Sequence, residues 1–227
     1  MLNFARRPLL ALSLIVVLVG ACAKAEPGAL VEFDLKVLDT NIHGLEAGPA
    51  DGKVVLLLHG NAFTSATWQE LGTIERLADA GFRAIAIDLP EKGASGKWPH
   101  VIEGFLLELL DAMKIESCAV IAPSMSGAYA FPLVTIHQHR VSAFVPVAPV
   151  RIKQFLAALP ECTLPTLVLW GENDSLIPVK LGRDLAEAMP NARLHVFPDA
   201  EHPCYMQATE PFHQELMAFL ESSLKSS

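Results

Sequence analysis

The sequence predicts an α/β fold, a mostly parallel central sheet with helices on both faces. Three observations predict it. Short apolar runs recur along the chain and read as strands covered on both sides. Stretches with helical spacing fill most of the gaps between them. The residues with chemical potential fall just after the apolar runs. In a parallel sheet that is the carboxyl edge, where loops collect active groups.

Residues 31–38 alternate and read as an edge strand. Residues 41–51 carry Gly44, Gly48 and Pro49 and read as a turn region. Residues 53–58 are almost continuously apolar and end at His59-Gly60-Asn61. A helix is expected over 68–80, with Leu71, Ile74, Leu77 and Ala78 on one face and Gly81 closing it. Residues 82–87 form the next strand, ending in Asp88-Leu89-Pro90, and a helix is expected over 101–113. The strand at 117–121 leads through a short turn into a helix that starts near Ala128 and stops near 137–140. Three more strands follow at 143–148, 167–170 and 193–197, with helices over 179–189 and 212–224. The stretch 149–165 has room for one short helix, so no cap domain is expected there.

The length of 227 residues suits one such domain, and 52% hydrophobic residues are enough for a large core. The formal net charge is −8, and the only charged residues among the first 21 are Arg6 and Arg7, so the rest is more acidic still. That balance argues against nucleic acid or an anionic lipid surface as a partner.

Residues 1–22 read as a signal peptide rather than as part of the fold. Arg6-Arg7 is a positive start, and Leu9 to Val19 is apolar but short for a membrane span. Val19-Gly20-Ala21-Cys22 resembles a bacterial lipobox, in which Cys22 would be lipidated and become the first residue. The alternatives are secretory cleavage near Ala21 or Ala23, or an uncleaved anchor. Residues 23–30 form a linker, and 31–227 a single domain. The expected location is the bacterial envelope or periplasm, with membrane contact only through the N-terminal lipid. Of the other cysteines, Cys118 reads as a core residue, while Cys162 and Cys204 could pair.

The turn after the fourth strand is Ala122-Pro123-Ser124-Met125-Ser126-Gly127. A serine with small residues two positions before and after it is a relaxed nucleophile elbow, here with Ala122 and Ser126 at those positions. A shifted register, with Ser126 between Ser124 and Ala128, also fits. Asp174 follows the strand at 167–170, and His202 follows the strand at 193–197. The order Ser124, Asp174, His202 suits acyl transfer. A serine hydroxyl needs a base to take its proton, and a carboxylate holds the imidazole in the useful tautomer. Glu172 and Asp199 are rival carboxylates. The loop His59-Gly60-Asn61 is placed to supply an oxyanion donor. The backbone N–H groups of Asn61 and Met125 are the candidates, and His59 would hold the loop. No metal-ligand spacing, phosphate-cradling glycine loop or nucleotide fingerprint is present, so no metal or cofactor is implied.

Several stretches together carry a family resemblance: Leu57-Leu58-His59-Gly60, residues 67–73 around Trp68, residues 83–90, Pro123-Ser124-Met125-Ser126-Gly127, residues 144–149, and Glu201-His202-Pro203-Cys204-Tyr205. On them the chain resembles an α/β-hydrolase along most of residues 31–224, and more narrowly the alpha/beta-hydrolase domain-containing protein 14 group. The resemblance implies Ser124 as nucleophile, Asp174 as acid and His202 as base. It implies esterase activity on small activated esters. It also implies a lysine deacetylase activity that passes acetyl to coenzyme A, and a partner-binding role. Glu91-Lys92-Gly93 and Glu201 stand where the group leads one to expect glycines.

The expected function is a serine hydrolase of small acyl esters, or amides, through an acyl-enzyme on Ser124. The alternatives are a protein deacylase or acyltransferase using the same residues, and an envelope interaction protein that does not use them. The expected pocket is built from residues 61–67, the segment after Pro90, Met125 and the start of a helix at 151–159.

Overall fold

The computed structural model describes residues 29–224, so the expected signal peptide, most of the expected linker and Cys22 lie outside the described residues. Eight strands form one sheet in the order β1-β2-β4-β3-β5-β6-β7-β8. The parallel part consists of β3 (Val54–Leu57), β4 (Arg83–Ile87), β5 (Cys118–Pro123), β6 (Val141–Val147), β7 (Thr166–Gly171) and β8 (Ala192–Phe197). At one edge β1 (Val31–Val37) and β2 (Thr40–Ala47) form an antiparallel hairpin, and β2 joins β4 antiparallel.

β2 corrects the expectation of a turn region over 41–51. Gly44 faces Phe33 across the hairpin, and a Cβ there would come within 2.5 Å of the ring. The glycine clears space for an aromatic ring in a strand instead of marking a turn. Ile42, Leu45 and Ala47 on the same strand are buried. The helix expected over 68–80 is two helices, α1 (Ala66–Glu70) and α2 (Thr73–Asp79). Gly72 breaks the run with φ 70, a left-handed conformation that costs glycine little.

The remaining helices are α3 (Phe105–Ala112), α4 (Gly127–Ile136), α5 (Ile152–Phe155), α6 (Lys180–Ala188), α7 (Cys204–Gln207) and α8 (Thr209–Leu224). Side chains alternate across each parallel strand, so the sheet feeds two cores. Leu56, Ile85, Val120, Phe144 and Val168 pack on one face with Phe105, Phe131 and Leu185 from α3, α4 and α6. Val55, Leu57, Ile121, Val145 and Leu169 pack on the other with Trp68, Leu77, Phe212 and Leu216 from α1, α2 and α8. Each buried leucine or phenylalanine contributes roughly 1.5–3 kcal/mol, so the two layers together hold the sheet flat against its helices.

Between β6 and β7 stand only the four residues of α5 and a short 3-10 turn at Leu159–Glu161, with no cap domain. No helix of the described residues is long and apolar enough to cross a membrane. Cys118, Cys162 and Cys204 are all buried free thiols, so the candidate Cys162–Cys204 pair is not formed. Burial pushes the thiols of Cys118 and Cys204 up to about 12, far from the thiolate form.

One buried histidine ties α8 to α2. The Nε2 atom of His213 lies 2.9 Å from the Thr73 hydroxyl, while its Nδ1 has no partner. Burial, helped by the Arg76 charge, pushes the His213 imidazole below its ordinary range. The unfolded chain therefore takes up a proton near pH 6.5 that the folded chain refuses, and stability is lost as the pH falls through that range. The Tm should drop as the pH is lowered from about 6.5 to 5, and His213→Gln should make that drop shallower. Equal slopes in the two proteins would contradict this account of His213.

Candidate active site

The site begins at the end of β5. Ser124 has φ 51, a left-handed conformation that a serine adopts at a cost of the order of 1 kcal/mol. The neighbours of the turn leave little choice of residue. Ala122 and Ser126 are fully buried, and a Cβ on Gly127 would come within 2.7 Å of Pro149. The Val150 N–H donates to the Ser124 carbonyl at 2.9 Å and ties the turn to the end of β6. Ser126 donates its hydroxyl to the Pro123 carbonyl at 2.7 Å, so the serine of the shifted register is engaged within the turn.

Ser124, Asp174 and His202 meet although they are far apart in sequence. Asp174 Oδ2 lies 2.7 Å from His202 Nδ1, and His202 Nε2 lies 2.8 Å from Ser124 Oγ. Asp174 Oδ1 accepts the backbone N–H groups of Leu176 and Ile177 at 2.9 and 2.8 Å. A carboxylate can only accept, so the imidazole proton sits on Nδ1 and the Nε2 lone pair faces the serine hydroxyl. The Asp174 side chain is wholly shielded from solvent. The rival carboxylates stand apart from the imidazole. Glu172 Oε2 accepts the Asp199 N–H at 3.4 Å, and neither side chain is paired with His202.

The acid and histidine loops are joined along their backbones. Asn173 donates to the Ala200 carbonyl at 2.8 Å. Gly171, at the end of β7, lies so close to the carbonyls of Ala200 and Glu201 that any Cβ would collide with them. The Trp170 indole N–H donates to the Ile177 carbonyl at 2.8 Å and fixes the far end of the acid loop.

The loop after β3 approaches from the other side, and a Cβ on Gly60 would touch Ser124 Cβ at 3.6 Å. His59 is 1% exposed and holds this loop to the loop after β4. Its Nε2 accepts the Leu89 N–H at 2.8 Å, which leaves the proton on Nδ1 for the Gly60 carbonyl, also at 2.8 Å. Burial pushes its pKa down, consistent with this neutral form.

Asp88 is a positioning residue that the sequence did not single out beyond its place at a strand end. Its carboxylate accepts the N–H of Ser65 and that of Ala94, each at 2.8 Å. It thereby pins the loop before α1 to the loop after β4. Gly93, at φ 50, leaves room for that carboxylate, while Glu91 keeps φ 64 without being a glycine.

The pocket over Ser124 and His202 has a volume of 240 Å³ and is walled by Asn61, Phe63, Val147, Leu176, Pro203 and Tyr205. The expected walls are only partly right. Met125 packs its side chain against the core, the segment after Pro90 lends the pocket no wall but meets it through a 2.8 Å bond from Lys92 Nζ to Asn61 Oδ1, and the α5 segment lines a neighbouring groove. Trp68 braces the pocket from behind. Its indole N–H donates to the Leu58 carbonyl at 2.8 Å, and its ring stacks on Tyr205 with centroids 5.0 Å apart. A larger cavity of 420 Å³ opens at the opposite end of the sheet around Lys53, Arg83 and Ser142, away from these groups. Among the described residues no three His, Cys, Asp or Glu side chains cluster as a metal would require.

The model of the alpha/beta hydrolase fold family matches residues 53–161 and 150–209. The chain belongs to the α/β-hydrolase family. Within it the chain is ABHD14-like. It is 37% identical over 204 residues to ABHD14B of Rattus norvegicus, named as a candidate protein-lysine deacylase, covering 85% of this chain and 96% of that one. It is 36% identical over 173 residues to protein ABHD14A of Mus musculus, covering 74% of this chain and 70% of that one. Among solved structures, a predicted CIB-like hydrolase from Thermoplasma acidophilum superposes with a TM-score of 0.83 at 22% identity, over 86% of this chain and 99% of that one.

Replacing Asp88 by alanine would leave the buried Ser65 N–H unpaired and release the Ala94 N–H, which lies in an exposed residue and can turn to water. The expected loss is roughly 1–3 kcal/mol of folding stability in urea denaturation. A loss below about 0.5 kcal/mol would show that these donors find other partners.

Proposed function

We propose that this hydrolase cleaves small acyl esters through an acyl-enzyme on Ser124. The observation that supports it most is the continuous chain Asp174–His202–Ser124, at 2.7 and 2.8 Å, opening on a pocket of 240 Å³. His202 Nε2 takes the hydroxyl proton as Ser124 Oγ bonds to the ester carbonyl carbon. The carbonyl oxygen becomes an oxyanion and is met by the N–H groups of Asn61 and Met125. His202 then gives its proton to the leaving alcohol oxygen as the C–O bond breaks. Water repeats the sequence on the acyl-enzyme, its proton passing to His202 and then to Ser124 Oγ as the acid departs. Asp174 holds the imidazole and stabilises its protonated form.

A second reading, protein deacylase or acyltransferase, is favoured by the name of the ABHD14B relatives. It uses the same acyl-enzyme and differs in the bond cleaved or in the acceptor. The reading as a non-catalytic interaction protein is tested together with the first. Ser124→Ala should abolish labelling by a fluorophosphonate probe and lower kcat by roughly 10⁴- to 10⁶-fold. Full labelling of Ser124→Ala with loss in Ser126→Ala would move the nucleophile to Ser126. An unlabelled wild-type protein would favour the non-catalytic reading.

The short loops around the pocket favour acetyl to butyryl esters, with water as acceptor. A chain-length series of p-nitrophenyl esters, with and without coenzyme A, checks this. A kcat/KM that keeps rising beyond octanoyl would refute the size argument, and strict dependence on coenzyme A would favour the transferase.

Export as a lipoprotein is a separate proposal, supported by Arg6-Arg7, the short apolar run and Val19-Gly20-Ala21-Cys22. Intact-mass analysis of membrane fractions should find a diacylated Cys22 as the first residue. A soluble, unmodified protein starting after Ala23 would rule it out.

A further inference from the structure

A groove of 310 Å³ runs beside the active-site pocket, and the two share Leu176 as a wall. Pro149, Leu181 and Pro178 give the groove apolar sides, and Arg151 and Lys153 are its only charged lining residues. The groove starts close to the nucleophile, since the Val150 N–H donates to the carbonyl of Ser124 itself. Leu176 is 73% exposed, large and apolar, yet its backbone is fixed by the bond from its N–H to Asp174 Oδ1. The partition therefore has a rigid base and a side chain turned to solvent.

The charge of the groove runs against that of the chain. The protein carries a net −8, but no acidic residue lines this surface. Arg151 meets Glu103 at 3.3 Å in an exposed pair, a contact that water screens strongly. Among the described residues Lys153 has no ion pair. Arg151 also keeps φ 65, a conformation that glycine would adopt more easily, just before α5.

We propose that the groove is a distal substrate subsite for an apolar arm ending in a carboxylate. The arm leaves the pocket over Ser124, passes Leu176, and places its anionic end between Arg151 and Lys153. This deepens the ester-hydrolase reading and rests on it. A neutral arm of the same length gains little, because its end would displace water from two cations without pairing them. A carboxylate gains the chain contacts and the charge pairing together.

The carboxylate could belong to the acyl group or to the alcohol, and two substrate pairs separate these sources. The acyl pair is p-nitrophenyl hexanoate against the p-nitrophenyl monoester of adipic acid. The alcohol pair is hexyl acetate against the acetate ester of 6-hydroxyhexanoate. In one pair the anionic member should show a kcat/KM about tenfold higher, mostly through KM, with the advantage shrinking as salt is raised. Lys153→Glu should reverse the ratio within that pair. Leu176→Trp should lower kcat/KM for the preferred six-carbon substrate more than for p-nitrophenyl acetate.

Hydrolysis of p-nitrophenyl acetate with no anionic preference in either pair would overturn the subsite and leave the hydrolase reading intact. If no ester is turned over, calorimetric titration with hexanoate and with the neutral hexan-1-ol decides the groove directly. Tighter hexanoate binding that Lys153→Glu removes would support it, and equal or absent binding would overturn it.

Discussion

The site depends on one shielded carboxylate. The Asp174 side chain is shielded from bulk solvent, so its two oxygens must be matched by donors from the protein. It finds three: the N–H groups of Leu176 and Ile177 and the imidazole of His202. Each has a separate consequence. The backbone donors hold the acid loop in a tight turn and fix the base of the wall between pocket and groove. The imidazole donor leaves Nε2 as an acceptor directed at Ser124. Removing any donor would leave part of a buried charge unmatched, so loop shape, tautomer and pocket wall stand or fall together.

The sheet supplies what that carboxylate cannot, the placement of three loops within hydrogen-bonding reach. β5, β7 and β8 run parallel, so the loops that follow them emerge on one edge. Close contacts then hold each loop down. Gly127 sits against Pro149, Gly171 against the backbone of the histidine loop, and Gly60 beside Ser124. The left-handed Ser124 is tolerated because the rows of buried side chains on both faces of β5 leave its turn no alternative path.

What the sequence disclosed follows from the same physics. Strands buried on both faces are runs of apolar residues, so β3 to β7 could be read directly, and the residues after them were natural candidates. Ser124, Asp174 and His202, which the fold brings within hydrogen-bonding distance of one another, stood out in the sequence because the roles proposed for them need particular side chains at strand ends. β2 was not, because a glycine inside a strand looks like a turn until the ring of Phe33 is seen across from it. The break at Gly72 was hidden because Leu71, Ile74 and Leu77 keep helical spacing across it. Asp88, Val147, Leu176 and Tyr205 received no role at the site from the sequence, for a common reason. Their roles come from contacts between loops distant in sequence, and no local pattern records such contacts.

The absence of a cap between β6 and β7 bears on the choice of acceptor. An acyl group on Ser124 would sit in a small pocket whose rim includes the exposed Leu176, within reach of bulk water. Any other acceptor would have to overcome the abundance of water by being held in place. Good positioning is worth effective concentrations of up to about 10⁵–10⁸ M, so a transferase needs a binding surface next to the acyl group. The groove beside Leu176 is one surface of that kind, and its cations would select an acceptor or substrate that carries negative charge. Water needs no such surface, so on the proposed mechanism transfer alone would require an acceptor held beside the acyl group, with Ser124 and His202 acting alike in both.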